Sequence, residues 1–356
     1  MKSSVIRVLI ADDSPTTRAM LKALFARSSE FEVVGEAQNG AEAIERAIAL
    51  TPDLIIMDVH MPVVDGLDAT KEIMREAPAP ILMVSASAST SDVALGLSAT
   101  QAGALMLLEK PSGPENAAFE GQARQFLSMA KAMAGVKVVR RWSRPAGRGA
   151  IVGAAAEPPR RTVKNGAPRL IAIGTSTGGP AALHRILLDL PRDFDVPIVV
   201  VQHMARGFID GLVKWLGGSI ALRVTTAAHG EPLQPGVVYI APDDKHLGVT
   251  PDGRAMLAST AAMGGFRPSV DYLFDSCARA FESALVAVIL TGMGQDGVEG
   301  LATVKRRGGR VIAQDERSSV VYGMAQQAVQ RGLVDEVLPL DVIGQRLLTL
   351  VEGTTQ

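Results

Sequence analysis

The apolar residues of this chain come in short, β-rich runs, and run after run stops on a residue able to do chemistry. Leu170-Ile171-Ala172-Ile173-Gly174 leads into Thr175-Ser176-Thr177; residues 196–201 lead into Gln202-His203; residues 284–290 lead into Thr291-Gly292-Met293-Gly294-Gln295-Asp296. Runs of this length and composition read as strands buried on both faces, the situation of a parallel sheet. A parallel sheet needs a crossover after each strand, and helix-like stretches fill the gaps. In open α/β sheets, ligands bind beyond the carboxyl ends of the strands. A serine, a histidine and an aspartate at three such ends can therefore meet in one crevice, as a nucleophile, its base and the group that orients the base must.

At 356 residues the chain exceeds one ordinary domain, so two are expected. Residues 5–134 already show the strand–helix rhythm, with strand-like runs at 5–11, 54–57, 81–85 and 104–108 and helix-like stretches at 16–27, 41–49 and 116–134. Gly135 suits a helix C-cap. The character then changes. Lys137, Arg140, Arg141, Arg144, Arg148, Arg160, Arg161 and Lys164 stand against the single acid Glu157, punctuated by Pro145, Pro158, Pro159 and Pro168. Such a stretch reads as an unstructured basic linker, either a tether or a docking strip for an acidic partner. From Arg169 the rhythm resumes. The expected fold class is α/β: two doubly wound parallel-sheet domains, 1–134 and 169–356, joined by a linker at 135–168, the second of them Rossmann-like.

A net charge of −1 makes no case for nucleic acid or membrane-surface binding by the whole molecule. The lone cysteine, Cys277, rules out an intrachain disulfide and suits a reducing cytoplasm. The start runs directly into a strand-like segment, so no signal peptide is expected. No apolar run approaches the roughly 20 residues of a membrane-spanning helix, and direct membrane insertion is not expected.

In the first half, Asp12 and Asp13 follow the first strand, Asp58 closes the third, Ser85 closes the fourth and Lys110 follows the fifth. All five fall at one edge of the expected sheet. Clustered carboxylates repel unless a cation sits among them, and Mg²⁺ favours a few carboxylates with water and phosphate oxygens. An aspartate can also attack phosphorus, and a hydroxyl and an ammonium nearby can hold the transferred oxygens. Surface acids at loop starts would explain any one of these residues, but not five in this order.

This half resembles the response-regulator receiver domain, a flavodoxin-like fold, over essentially its full length. The resemblance implies Asp58 as phosphoacceptor, Asp12, Asp13 and Asp58 as Mg²⁺ partners together with the backbone carbonyl of His60, Ser85 and Lys110 as sensors of the phosphoryl group, and a sensor histidine kinase as phosphodonor. Leu107 stands where receivers usually carry an aromatic switch residue, and His60 is an unusual neighbour for the acceptor, expected to face solvent.

In the second half, Gly174-Thr175-Ser176-Thr177-Gly178-Gly179-Pro180 follows a strand and opens a helix near 181–190. Glycines permit the tight turn, Pro180 suits the first helical turn, and the free N–H groups there favour negative charge. The G-x-S-x-G match is weak alone. Its chain order, Ser then His then Asp, differs from that of α/β-hydrolases, but a triad is defined by geometry. Thr175 or Thr177 could be the reactive hydroxyl instead, the loop could hold a dinucleotide phosphate, or it could be structural. A Rossmann fingerprint wants a second glycine where Ser176 stands and an acid after the next strand, where Gln202-His203 stands. Of the five histidines, His184 falls inside a helix, His229 and His246 lie in polar loops and read as solvated, His60 belongs to the other half, and only His203 ends a strand here. An imidazole suits general-base work near neutral pH. Asp296 follows the strongest apolar run; Asp243, Asp244 and Asp315 sit in looser contexts.

Residues 173–179, Gln202-His203-Met204, Arg267-Pro268-Ser269-Val270-Asp271, Leu290-Thr291-Gly292-Met293-Gly294-Gln295-Asp296-Gly297 and Ala313-Gln314-Asp315-Glu316 together resemble the chemotaxis protein-glutamate methylesterases, from about Leu170 to the C-terminus. The resemblance implies hydrolysis of glutamate methyl esters, and deamidation of some glutamines, on methyl-accepting chemoreceptors, with no cofactor for the esterase. It implies Ser176 as nucleophile, His203 as proton carrier, Asp296 as orienter, backbone N–H groups of Thr177 and Met293 as oxyanion donors, and Gln202 and Arg267 as site-shaping residues. Phe266 replaces the polar residue expected before Arg267, and Ala325-Gln326 depart from the pattern after Gly323-Met324. The expectation is a cytoplasmic, phosphorylation-controlled esterase; the competing one is a non-catalytic, receiver-controlled binding regulator. No recognition helix or basic domain supports a DNA-binding output.

Overall fold

The structure is a computed structural model that describes residues 5–86, 89–113, 115–116, 119–136 and 168–353. Most of the basic stretch assigned to the linker lies outside the described residues.

The first half builds β1 (Ile6–Ala11), α1 (Pro15–Phe25), β2 (Phe31–Ala37), α2 (Gly40–Leu50), β3 (Leu54–Asp58), α3 (Gly66–Glu76), β4 (Ile81–Ser85), α4 (Thr90–Ala102), β5 (Met106–Glu109) and α5 (Phe119–Ala134). Each of the first three helices starts where a short polar side chain accepts an otherwise orphaned N–H: Ser14 from Thr17, Asn39 from Glu42, Asp65 from Asp68. Glu42 returns a bond to the N–H of Gln38, close to a capping box. The five strands are parallel in the order β2-β1-β3-β4-β5. The chain reverses direction across the sheet between β1 and β3, so the crevice falls at the carboxyl ends of those two strands.

The second half continues with β6 (Leu170–Thr175), α6 (Gly179–Leu187), β7 (Ile198–Gln202), α7 (Ile209–Gly217), β8 (Arg223–Thr226), β9 (Val237–Ile240), β10 (His246–Val249), β11 (Ala255–Ala258), α8 (Val270–Phe281), β12 (Leu285–Ile289), α9 (Val298–Arg306), β13 (Arg310–Gln314), α10 (Met324–Gln330), β14 (Glu336–Leu338) and α11 (Leu340–Glu352). Seven strands form a parallel sheet in the order β14-β13-β12-β6-β7-β9-β8, and β10 and β11 make a separate antiparallel hairpin. Its central strands are fully buried apolar runs, as both-face burial requires. Here the reversal lies between β6 and β12, with β7 on the other side of β6. The fold class is the expected one, two parallel-sheet α/β domains. The second strand of the first half was counted but not located, and the β8–β11 region was not foreseen.

The two halves share one buried apolar cluster in which Leu97 and Leu107 join residues of α6 and α7. α4 packs along α7 and touches α6, while Val320 and Val321, between β13 and α10, rest on the core beneath α5.

Candidate active site and receiver site

At the first reversal point Asp12 is fully buried and Asp58 nearly so. Lys110 Nζ lies 2.6 Å from Asp12 Oδ2 and 3.0 Å from Asp58 Oδ1. Ser85 is buried at the end of β4, and its carbonyl accepts the Lys110 N–H at 2.8 Å, which sets the lysine stem beside the acids. Burial pushes the Asp58 carboxyl up to about 6; Lys110 opposes the rise and the charges of Asp12 and Asp13 add to it. For Lys110 burial disfavours the charge, but the hydrogen bond to Asp12 and the charges of Asp58 and Asp12 hold its pKa above the ordinary value. One carboxylate oxygen from each of Asp12, Asp13 and Asp58 falls within 4.8 Å of the others. Two buried carboxylates with one exposed member fit a hard divalent cation. His60 faces solvent, as expected. Leu107 is buried against Gly96 of α4, where an added Cβ would meet its methyl groups at 2.7 and 2.9 Å.

At the second reversal point the loop after β6 is stapled to the loop after β12. The Ser176 N–H and the Thr175 hydroxyl donate to the Thr291 carbonyl at 3.1 and 3.0 Å, and the Thr291 hydroxyl donates to the Thr177 carbonyl at 2.9 Å. Gln314 Oε1 in turn accepts the Thr291 N–H at 2.8 Å. The loops can close this far only because Gly292 has no side chain; a Cβ there would meet Ser176 Cβ at 2.8 Å. The alternatives to Ser176 are otherwise engaged. Thr175 is buried with its hydroxyl committed, and the buried Thr177 hydroxyl faces Met129 Sδ at 3.6 Å. Ser176 is half-buried and lines the cleft.

His203 follows β7, and its N–H donates to the Thr175 carbonyl at 3.0 Å. The side-chain nitrogen of buried Gln202 donates to the carbonyls of both Ser176 and His203, at 2.8 Å each. His203 Nε2 lies 2.9 Å from Asp296 Oδ2, with both side chains almost entirely buried. With Nε2 turned to the carboxylate, Nδ1 is the ring nitrogen left for another partner. Both ring nitrogens are buried, and neither makes a hydrogen bond of good geometry.

Asp296 sits at the N-terminus of α8. Its carboxylate accepts the Ser269 hydroxyl at 2.8 Å, the Val270 N–H at 2.7 Å and the Asp271 N–H at 3.0 Å. Burial works to raise this carboxyl, but the contact with His203 and the two helix N–H groups outweigh it and hold it below the ordinary value. Behind it, burial and the charge of Asp296 push Asp271 up to about 6, against the Gly300 N–H that it accepts at 2.8 Å.

Two supporting residues escaped the sequence reading. Ser269 lay within a quoted motif without a role. His246, read as solvated, is fully buried, stacked 4.8 Å from the Tyr272 ring. The correction has a tertiary cause: His246 opens β10, which packs against α8 and buries the ring beside Tyr272. His184 lies in α6 against Trp215 and His229 is exposed, as expected. Asp243 and Asp315 serve loops instead, accepting the N–H groups of Gly207 and Ser318.

A cleft of about 500 Å³ holds Ser176, His203, Met293 and Arg267 on one wall. Its other wall belongs to the first half: Leu97, residues 105–108, Gln125, Ser128 and Met129.

Fold and geometry together define a class: two parallel-sheet α/β domains, one with a buried carboxylate–lysine cluster, the other with a serine–histidine–aspartate cleft that the first domain overhangs. Residues 8–118 match the response regulator receiver domain family and residues 171–347 the CheB methylesterase family. The chain is 47% identical over 354 residues to "Protein-glutamate methylesterase/protein-glutamine glutaminase 4" of Myxococcus xanthus, covering 99% of each chain. It is 47% identical over 344 residues to the enzyme numbered 3 of that name from Anaeromyxobacter dehalogenans, covering 96% of this chain and 98% of the relative. The solved catalytic domain of the Thermotoga maritima CheB methylesterase is 43% identical, with a TM-score of 0.50, over 52% of this chain and 99% of that one. The chain belongs to the protein-glutamate methylesterase/protein-glutamine glutaminase family.

Proposed function

We propose that Ser176, His203 and Asp296 carry out the hydrolysis and that Asp58 controls it. The protein is a receiver-regulated methylesterase, a carboxylic ester hydrolase acting on glutamate methyl esters, with deamidation of glutamine as its second activity. In the proposed mechanism Ser176 Oγ attacks the ester carbonyl carbon while His203 Nδ1 takes its proton. The carbonyl π electrons move onto oxygen, which the backbone N–H groups of Thr177 and Met293 receive. Collapse expels methanol, protonated by His203, and leaves an acyl-serine. Water activated by the same imidazole then releases the glutamate carboxylate. Asp296 fixes the tautomer and balances the charge that His203 acquires.

In the first domain Asp58 is the proposed phosphoacceptor, with Ser85 and Lys110 contacting the phosphoryl oxygens. Asp12, Asp13 and Asp58 would hold Mg²⁺, which neutralises charge as phosphorus is transferred. The phosphodonor is a sensor histidine kinase and the substrates are methyl-accepting chemoreceptors. The buried thiol Cys277 suits the reducing cytoplasm where these partners would meet the enzyme. The domain assignment is 1–134 for the receiver, 135–168 for the linker and 169–356 for the esterase.

One observation carries the regulatory reading: residues of β5 and α5 form a wall of the same cleft that Ser176 and His203 line. A substrate glutamyl chain and that wall compete for the same space. A phosphoryl group adds roughly −1.5 to −2 charge beside Lys110, one residue beyond β5, and can bias the interface toward opening. The test is methanol release from methylated receptor membranes. Ser176→Ala abolishes release, Mg²⁺ with a small phosphodonor accelerates it, and Asp58→Asn removes the acceleration. Release that survives Ser176→Ala refutes the catalytic assignment. A catalytic domain no faster alone than in the unphosphorylated full chain refutes inhibition by coverage.

A further inference from the structure

His203 has one edge against Asp296 at 2.9 Å, but a contact at one edge leaves the ring plane free to swing. The face of the ring is held by something else. Phe266 stacks on it, ring centroids 4.2 Å apart and planes 3° from parallel. Phe266 is also the residue at which this chain departs from the polar residue expected before Arg267.

A phenyl group on a solvent-facing loop holds such a geometry only if the loop is itself fixed, and it is fixed at its tip and at both feet. At the tip, Met263 and Phe266 exchange N–H···O bonds of 3.0 and 2.9 Å across Gly264 (φ 58°) and Gly265 (φ 90°). A two-residue turn with both central φ values positive suits Gly-Gly. At the feet stands buried His246. Its Nδ1 accepts the Ser269 N–H at 3.2 Å, so the proton is on Nε2 and is donated to the Ala261 carbonyl at 3.1 Å. One neutral imidazole thus clips residues 261 and 269, on either side of Phe266.

We propose that Phe266 is a positioning residue for His203, fixing its ring plane and, through the π face, favouring the imidazolium that forms when Ser176 loses its proton. This rests on the reading of Ser176 and His203 as nucleophile and base. A cation over an aromatic face is attracted to it, most strongly where water is excluded. The attraction is stronger once the ring is charged than before, so it lowers the barrier instead of tightening ground-state binding. The effect therefore belongs in kcat and not in KM.

The experiment uses the full chain and follows methanol release at saturating and limiting methylated receptor. Phe266→Leu keeps an apolar side chain of similar reach and removes the π face; kcat falls about 3- to 30-fold while KM stays within about twofold. Phe266→Tyr restores most of the lost kcat. Pentafluorophenylalanine at position 266, which keeps the shape and reverses the quadrupole, behaves like leucine. A raised KM with unchanged kcat would make Phe266 a wall of the substrate site and overturn the proposal, as would a pentafluoro enzyme as fast as wild type. Stacking is read independently in the Ser176→Ala background: the His203 ring protons carry an upfield ring-current shift that Phe266→Leu removes. Absence of that shift refutes the stack whatever the enzyme's activity, whereas activity surviving Ser176→Ala refutes the triad reading instead.

Discussion

Removal of a single hydroxyl, by Ser269→Ala, should damage both the stability of the second domain and its chemistry. Ser269 Oγ accepts the Tyr272 N–H at 3.4 Å as the N-cap of α8 and donates to Asp296 Oδ1 at 2.8 Å. Loss of an N-cap hydroxyl costs about 1 kcal/mol. Loss of a hydrogen bond to a buried charge costs about 1.5–3 kcal/mol, and water cannot replace it because the Asp296 side chain is only 3% exposed. The two helix N–H groups remain, so the carboxylate stays charged, and the sum is about 2.5–4 kcal/mol. That is a large share of the 5–15 kcal/mol typical of a domain. A carboxylate freed on one oxygen also orients His203 less well, so kcat should fall about tenfold, equivalent to about 1.4 kcal/mol. Urea unfolding in a Trp142→Phe background leaves Trp215 of α7 as the only tryptophan and reports the second domain. Ser269→Thr, which keeps the hydroxyl, should recover both properties. A Ser269→Ala protein within about 0.5 kcal/mol of wild type, with unchanged kcat, would refute the assignment of Asp296's orientation to this anchor.

Further predictions concern the first domain and the interface. Asp58 is raised from 3.8 to about 6 in the folded state, chiefly by burial. The folded chain therefore binds more protons between those values, and this carboxyl costs stability as pH rises through 6 and none below 3.8. Asp58→Asn should thus stabilise the Mg²⁺-free receiver by about 2–3 kcal/mol at pH 8, with the gain shrinking toward pH 4; thermal melts across that range check the sign. Val63 is 85% exposed at φ 68°, a left-handed conformation that a β-branched residue adopts at a cost. Val63→Asn should stabilise the receiver by about 1 kcal/mol, measurable by denaturant midpoint. Met129→Glu would place a carboxylate in the apolar contact between the domains, where the covered state strips it of water. A penalty of about 1–3 kcal/mol on the covered state should raise the unphosphorylated enzyme's methanol release about fivefold or more.

The positions of the chemistry were legible because parallel strands bury both faces, so their apolar runs stand out and their polar ends point to one edge. That signal put Asp12, Asp58 and Lys110 together at the edge of one sheet and Ser176, His203 and Asp296 together at the edge of the other, and the structure places them so. Strands lacking it were not located. β2 carries Glu32, Gly35 and Glu36 at a sheet edge, and β8 is an edge strand with an exposed Arg223. His246 was misread because its neighbours Asp243, Asp244 and Lys245 are polar, while its burial comes from Tyr272 and Ser269 far along the chain. The choice among Thr175, Ser176 and Thr177 also needed three dimensions, since three adjacent hydroxyls differ only in where the turn sends them.

The doubly engaged amide of Gln202 bears on what kind of switch this enzyme can use. One nitrogen grips the main chain at both reactive residues, so the ends of β6 and β7 travel as a unit and neither partner can be withdrawn from the other without breaking that grip. A movement of the receiver's wall then leaves the two loop ends where they are. On the proposed reading, what the receiver would govern is admission to the cleft and not the arrangement of the residues that line it.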